Sequence, residues 1–208
     1  MVNGNDGSGT VGTFTEKGGE NMSEVNQSFW KLKLEAVRQE LEKNNYEAFV
    51  VETADEARTL VTEQVIPHLD AKSVAWGGSM TVQEAGLYEI LKDKRFGFKV
   101  HDTLDRSVPR EEMLERRRQA LLADLFVTGT NAVTESGVLV NLDMIGNHVG
   151  AITYGPRWVI IVAGRNKIVP DVAEAMVRIK DYAAPVNAMR LSLQTPCAKT
   201  AFCEECSS

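Results

Sequence analysis

The feature that most constrains the fold is an alternation of short apolar runs with segments whose apolar residues recur at helical spacing. "SVAW", "FGFKVHD" and "LFVTG" are typical of strands, and amphipathic segments stand between them. Strands that alternate with helices indicate a parallel sheet with crossover helices. The predicted fold class is therefore α/β, with a Rossmann-like, mostly parallel sheet and flanking helices.

The flanking elements have recognisable boundaries. Thr53 is expected to cap one helix, with Glu56 completing a capping box, and Pro109 to begin another, with Ser107 as its cap. "YEAFVVE" predicts a further buried strand around residues 49–51. Helices are predicted over residues 28–44, 54–65, 81–91, 109–122 and 170–183.

The alternation ends after the "LFVTG" run. "VLVNLD", "HVGAITYG" and "RWVIIVAG" follow one another with only "MIGN" and "GP" between them, and both separators have turn chemistry. Three strand-like runs at such close spacing predict an antiparallel three-strand meander inserted into the parallel fold.

Length and composition predict one folded domain. The chain has 208 residues, of which 43% are hydrophobic and 25% charged, an ordinary globular mix. The Gly, Asn and Ser content at the start of the chain predicts a disordered tail over 1–24, followed by the α/β domain over 25–192 and a cysteine-bearing tail over 193–208.

Charge and hydropathy narrow the class of partner. The formal net charge is −6, which disfavours non-specific binding to nucleic acid or to an anionic membrane surface. No apolar run approaches the roughly 20 residues that a membrane span needs, and the N-terminus lacks the basic start and apolar centre of a secretory signal. A cytoplasmic protein with reduced thiols is expected, and homo-oligomer formation stays open.

A glycine turn, "WGGSMT", follows the first strand of the alternation. Gly77 and Gly78 would allow close approach of a ligand, and the N–H groups that open the next helix suit a phosphate or a carboxylate. The alternative is a tight turn in which Ser79 or Thr81 caps that helix. Because ligands of open α/β sheets bind at the carboxyl ends of strands, the ligand interpretation has as much support as the tight turn, and both stay open.

A second candidate is a polar stretch that runs from the "LFVTG" strand to residue 148. Glu135 within it could act as a base or a nucleophile. The alternative is that these side chains hydrogen-bond to turn backbone, which residue types alone favour. The other candidate ligand-binding residues of the stretch are Thr128, Gly129, Thr130, Asn131, Thr134, Asn141, Asp143, Asn147 and His148.

Two further groups could bind a ligand. Arg165 and Lys167 follow the last strand-like run and could meet an anion there, or could belong to a surface turn. The three cysteines, Cys197, Cys203 and Cys206, lie within ten residues of one another. Thiolates at this spacing suit an iron–sulfur cluster or zinc, although three are one fewer than the usual four ligands. The alternative is a reduced tail without metal.

Several of these segments together resemble one family. "ADLFVTGTNAVTESGVLVNLD", "GNHVGAITYGP" and "VIIVAGRNKIV" resemble the LUD-domain proteins, the lactate utilization protein C-like family, and "WGGSMTVQEAGL" and "TPCAKTAFCEEC" are similar to its glycine turn and to the cysteine-bearing end of one of its branches. The resemblance implies a fold of the NagB, ribose-5-phosphate isomerase (RpiA) and CoA-transferase-like superfamily. It also implies a role in oxidising L-lactate to pyruvate beside iron–sulfur and oxidoreductase partner proteins.

The resemblance also bears on the site. In CoA transferases of the superfamily a Glu in a Ser-Glu-Asn-Gly turn attacks the acyl group, and "TESG" around Glu135 looks similar, with Ser136 in place of the Asn. Edge placement and resemblance together predict that residues 128–135 and 141–148 line a cleft facing residues 77–81.

Three functions therefore stay open. The first is a subunit of a lactate-oxidising system that binds a small anionic ligand, since the sequence has no flavin or nicotinamide fingerprint. The second is a stand-alone transferase or isomerase that uses Glu135, and the third is an iron–sulfur or zinc protein through its C-terminal cysteines.

Overall fold

A computed structural model describes residues 22–204 and residue 206. Its centre is a four-stranded parallel sheet with strand order β2-β1-β3-β6, and beside it lies a three-stranded mixed sheet with order β5-β4-β7. The strands are β1 (Ser73–Trp76), β2 (Lys99–His101), β3 (Leu125–Thr128), β4 (Ala132–Thr134), β5 (Leu139–Val140), β6 (Trp158–Ile161) and β7 (Ile168–Val169). The predicted α/β class with a mostly parallel sheet is confirmed.

Helices flank the sheets along the whole chain. They are α1 (Met22–Lys43), α2 (Ala54–Thr59), α3 (Met80–Glu84), α4 (Leu87–Ile90), α5 (Arg110–Ala120), α6 (Asn147–Thr153), α7 (Val172–Arg178), α8 (Ala184–Arg190) and α9 (Pro196–Thr200). Among the described residues, none of these helices combines the length and the apolar character needed to cross a membrane. Most of the predicted N-terminal tail, residues 1–21, lies outside the described residues, whereas residues 22–24 belong to α1.

Both faces of the parallel sheet are covered, as its apolar strands require. On one face, Val74, Trp76 and Val127 pack with residues of α3 and α4. On the other face, Ala75 and Phe126 pack against small residues at the end of α5 and in α6. Fully burying each large apolar side chain contributes roughly 1.5–3 kcal/mol, so these two layers are the main stabilising element of the fold.

Several local predictions are confirmed. The strands at 73–76 and 125–128 form as expected, and the helices over 28–44 and 109–122 correspond to α1 and α5. Thr53 caps α2, its hydroxyl accepting from the N–H of Glu56 at 3.1 Å. The Glu56 carboxylate accepts from the N–H of Glu52 at 2.9 Å, one residue before the position expected of a capping box.

The buried strand predicted at 49–51 is wrong. The segment is irregular, with Phe49 51% exposed and Val50 41% exposed. Val and Phe favour strands where a neighbouring strand supplies partners, and the described sheets contain no strand paired with this segment.

Three helix boundaries also differ from the predictions. The helix predicted over 81–91 is broken at Gly86, whose φ of +67° ends α3 before α4 begins. Ser107 does not cap α5, since its N–H and hydroxyl bond instead to Asp105. The last predicted helix continues beyond 183 to Arg190, because a wide turn over Ile179–Ala183 precedes Pro185 and relieves the clash that proline normally causes.

The predicted meander is wrong in two of its three strands. "HVGAITYG" contains α6, and "RWVIIVAG" contains β6, which pairs in parallel with β3 in the large sheet. Only the first run forms an antiparallel pair, β5 with β4. The Asp143 carboxylate accepts from the N–H groups of His148 and Val149 at 2.7 and 3.0 Å, which stabilises a helix start that strand propensity conceals.

Candidate functional site

The glycine turn after β1 is held rigidly by a buried tyrosine. The Tyr88 hydroxyl donates to the carbonyl of Gly77 at 2.6 Å and accepts from the N–H of Ser79 at 2.7 Å. Burial raises the pKa of Tyr88 to about 12, so the hydroxyl keeps its proton and can fill both roles. On the other side, the Thr103 hydroxyl donates to the carbonyl of Trp76. The turn is thus fixed before any ligand binds.

Gly77 allows β1 to approach β3 and α6 closely. A Cβ at this position would lie 2.5 Å from Oγ1 of Thr128 and 3.0 Å from Cδ2 of His148. Gly77 is therefore required by the packing of these three elements.

Gly129, at the end of the neighbouring strand β3, also allows a close approach of other residues. A Cβ there would collide with the hydroxyl of Ser79 and lie 3.3 Å from Nζ of Lys167. The missing side chain is what allows a hydroxyl and an amine to occupy the same side of Gly129.

His148 faces the same residues with a defined tautomer. Its Nε2 lies 3.0 Å from the carbonyl oxygen of Gly129. Because a carbonyl can only accept, Nε2 carries the proton in the neutral ring, and Nδ1 is left as an acceptor. Burial lowers the pKa of His148, and the positive charge of Lys167 lowers it further, so the ring is neutral at pH 7.

Lys167 is the most unusual ionisable group of the site. It is half-buried, and its side chain has no ion pair or hydrogen bond within the part of the chain that the structure describes. Burial and the charge of Arg178 lower the pKa of Lys167 to about 8, against the opposing field of Glu84. Such a group can bind an anion when protonated, or act as a base or nucleophile when neutral.

We call Gly77, Ser79, Gly129, His148 and Lys167 the glycine–lysine cluster. The sequence predicted a cleft that includes the first four of these residues and named Lys167 as a separate candidate for binding an anion, and the contacts above bring all five together. That they bind a ligand remains a prediction. Ser79 also caps α3, accepting from the N–H of Val82 at 3.4 Å, as the alternative interpretation of the turn expected. Because its oxygen is the acceptor there, the hydroxyl proton is free to point elsewhere.

Most other polar side chains of the stretch form hydrogen bonds within their own turn or hairpin. The Asn141 side-chain oxygen accepts from the Thr130 hydroxyl at 3.0 Å and from the N–H of Asn131 at 3.1 Å. The Thr134 hydroxyl accepts from the N–H of Val138 at 3.0 Å. These bonds explain much of the polar composition as turn and hairpin chemistry, the alternative that residue types alone favoured.

The remaining residues of the predicted cleft lie at the starts of helices, in the glycine turn or at the end of a strand. Asp143 stabilises the start of α6, as described above, and Asn147 is the first residue of that helix. Thr81 lies in α3, next to Ser79, and Gly78 is exposed at the turn. Thr128 is fully buried, and its hydroxyl has no hydrogen-bond partner among the described residues.

Glu135 and Arg165 contact α1. The Glu135 carboxylate is exposed and lies 2.6 Å from the ammonium of Lys33. The Arg165 guanidinium lies 5.4 Å from the centre of the Trp30 ring. Within the described residues, none of these contacts joins Glu135 or Arg165 to the glycine–lysine cluster.

The cysteines do not gather in the described part of the chain. Cys197 is buried in α9, whereas Cys203 and Cys206 are exposed, and none of the three forms a disulfide with another described residue. The described residues contain no group of three or more His, Cys, Asp or Glu side chains that could bind a metal ion. The geometry therefore gives no support to the metal hypothesis.

A cavity of about 430 Å³ lies on the other side of the glycine turn, and the sequence analysis missed it. Trp76, Tyr88, Lys92, Asp102 and Leu104 line it, among others, but no residue from β3, α6 or β7 does. Although burial alone would lower it, the pKa of Lys92 is raised by hydrogen bonds to Asp102 and Glu89. No sequence motif marks this cavity, because its residues come from three separate stretches of the chain, at residue 76, residues 83–92 and residues 102–105. A second cavity of about 420 Å³ lies between β2 and α5.

Comparison with known proteins identifies the family. The model of the LUD domain matches residues 34–208, which is most of the chain. No curated protein and no solved structure matched the sequence. The parallel sheet, the glycine turn and this match agree, and the chain belongs to the LUD domain family.

Proposed function

We propose that the protein is a lactate utilization subunit that binds a small 2-hydroxy or 2-oxo acid at the glycine–lysine cluster. In this proposal, iron–sulfur and oxidoreductase partners transfer the electrons when L-lactate is oxidised to pyruvate. The observation that carries the proposal is Lys167, a half-buried cation without an acidic partner among the described residues, in a chain of the LUD family.

An unpaired, partly desolvated ammonium is unfavourable, and a bound anion would compensate it. Lys167 and the Ser79 hydroxyl lie on the same side of Gly129, so both could donate to one carboxylate. Arg178 adds positive charge near Lys167, since its charge contributes to the lowered pKa of Lys167. The local field thus favours an anion although the chain is acidic overall.

Binding can be tested by titration calorimetry with L-lactate, pyruvate and lactamide. Lactamide has the shape of lactate without its charge, so it isolates the role of the carboxylate. We expect L-lactate and pyruvate to bind to the wild type and to Lys92→Met, and to lose most of their affinity for Lys167→Met. Equal binding of lactamide, or unchanged binding to Lys167→Met, would contradict the proposal.

Partnership can be tested by purifying the tagged protein from its own host without oxygen. We expect iron–sulfur and oxidoreductase subunits to co-purify, and the complex to reduce a dye when L-lactate is added. If the protein elutes without such subunits and its preparation does not reduce the dye when L-lactate is added, the subunit part of the proposal is contradicted.

The transferase alternative makes a different prediction for Glu135. If Glu135 were the nucleophile of a CoA-transferase-like enzyme, Glu135→Gln would abolish turnover. In our proposal the Glu135 carboxylate pairs with Lys33 and stabilises the attachment of α1. Glu135→Gln should therefore leave carboxylate binding and lactate-dependent dye reduction nearly unchanged.

A further inference from the structure

We propose that Lys167 forms a reversible imine with a 2-oxo acid bound at the glycine–lysine cluster. The inference rests on the proposed function, and it deepens it by naming a covalent step and the substrate class that undergoes it. A 2-hydroxy acid such as L-lactate would bind at the same place without reacting.

The backbone around Lys167 is anchored in the small sheet. The N–H of Lys167 donates to the carbonyl of Gly164 at 3.0 Å, and Ile168 begins β7, which pairs with β4 at Val133. From this anchored position in the small sheet, the side chain reaches the carboxyl end of β3 in the large sheet, where Nζ lies against Gly129. The amine is therefore presented at the carboxyl end of β3.

The amine is also chemically available. The ammonium of Lys92, on the other side of the glycine turn, lies 3.1 Å from Asp102 and 3.3 Å from Glu89, and both carboxylates favour its protonated form. Lys167 has no such partner among the described residues. Its pKa of about 8 leaves an appreciable fraction of neutral amine at physiological pH.

The reaction needs only the groups that are present. The neutral Nζ adds to the keto carbon, and its proton passes to the carbonyl oxygen, which gives a carbinolamine. The carbinolamine loses its hydroxyl as water and its nitrogen becomes the imine, so amine and ketone give imine and water without an oxidant or reductant. The Ser79 hydroxyl lies against the same side of Gly129 as Nζ and keeps a proton to donate to the carbonyl oxygen. The substrate carboxylate stabilises the protonated imine.

The test is reductive trapping. The protein is incubated with cyanoborohydride and either pyruvate or L-lactate, and modified peptides are identified by mass spectrometry. We expect pyruvate to add one carboxyethyl group at Lys167, at an occupancy at least about tenfold above that at Lys92, because the fraction of neutral amine differs by more than that. L-Lactate has no ketone and should add nothing.

Two variants control the result. Lys167→Arg keeps the positive charge and removes the nucleophile, so it should bind L-lactate and give no adduct at residue 167. Lys92→Arg should trap pyruvate like the wild type. Circular dichroism of each variant checks that the protein is folded.

The two proposals fail in distinguishable ways. If L-lactate and pyruvate bind but cyanoborohydride leaves Lys167 unmodified, or modifies exposed lysines equally, the imine is excluded and the binding proposal stands. If neither acid binds and no adduct forms, the proposed function itself is contradicted.

Discussion

The two sides of the glycine turn contain lysines with opposite surroundings. On one side, Lys92 lies between two carboxylates and over the Trp76 ring, with a centroid distance of 5.6 Å, and its pKa is raised. On the other side, Lys167 lies near Gly129, the Ser79 hydroxyl and the neutral His148 ring, and burial and the charge of Arg178 lower its pKa in spite of the field of Glu84. A cavity of about 430 Å³ lies on the Lys92 side. The comparison teaches that cavity volume and chemical reactivity can lie on different sides of one turn.

The largest effect should come from the turn itself, where the two glycines face different sides. Gly77→Ala should destabilise the protein by about 2 kcal/mol, because the new methyl group meets buried side chains that cannot move easily. Gly78→Ala should change stability by less than about 0.5 kcal/mol, since its Cβ would lie 3.7 Å from Leu104, an ordinary contact. Urea unfolding of both variants measures the difference. Equal effects would mean that the two sides are packed alike.

Gly129→Ala should act on the Lys167 side alone. The methyl group would displace the Ser79 hydroxyl and the Lys167 amine, so it should disturb the proposed anion site and weaken binding of L-lactate by roughly tenfold, about 1.4 kcal/mol. Calorimetry measures the affinity, and Gly78→Ala serves as the control that keeps it. A Gly129→Ala variant with wild-type affinity would place the ligand elsewhere.

The pH dependence of stability should have opposite signs at the two lysines. The lowered pKa of Lys167 means that the unfolded chain binds more protons than the folded protein between pH 8 and 10.5. The buried charge of Lys167 therefore lowers the free energy of unfolding by its full amount below pH 8, and by less as the pH rises. Lys167→Met should therefore stabilise the protein at pH 7 by on the order of 1 kcal/mol, and by less at pH 9.5.

Lys92 provides the matched measurement. Its raised pKa means that its contribution is present below pH 10.5 and is lost above it, so Lys92→Met should destabilise at pH 7, by less than about 1 kcal/mol because the pair is partly exposed. Thermal or urea unfolding of the two variants at pH 7 and 9.5 gives both signs. The same sign for both variants would break the comparison.

The smallest effect should come from Thr128, whose buried hydroxyl lacks a hydrogen-bond partner among the described residues. Thr128→Val keeps the shape and removes the hydroxyl, so stability should stay the same or rise by up to about 1 kcal/mol. Thr128→Ser is the control that keeps the hydroxyl and loses a methyl group. If Thr128→Val were clearly less stable, the hydroxyl would have a partner such as an ordered water.

The sequence predicted the parts of the fold that depend on local pattern. β1 and β3 are short apolar runs with flanking turns, and their shared orientation placed Gly77 and Gly129 at one edge of the sheet. β6 and α6 were misassigned because their structure depends on distant partners. β6 pairs with β3, and α6 is stabilised by the Asp143 carboxylate and packs against the end of α5. Strand propensity alone does not contain that information.

The site shows the same division. Glycines and polar residues at strand ends can be read from the sequence, whereas the lack of an ion-pair partner for Lys167 among the described residues depends on the tertiary structure. The ion pair of Glu135 with Lys33 joins residues that are about a hundred positions apart. It directs the carboxylate that the resemblance suggested as a nucleophile toward α1 and not toward the glycine–lysine cluster. Neither fact has a signal in "TESG" or "AGRNKIV".

The position of Lys167 has a consequence for motion within the molecule. Its backbone belongs next to β7 of the small sheet, and its amine ends at β3 of the large sheet. A molecule bound to that amine would connect the two sheets. A ligand held there should therefore stiffen the junction between the sheets and slow hydrogen exchange of the amides in β4 and β7.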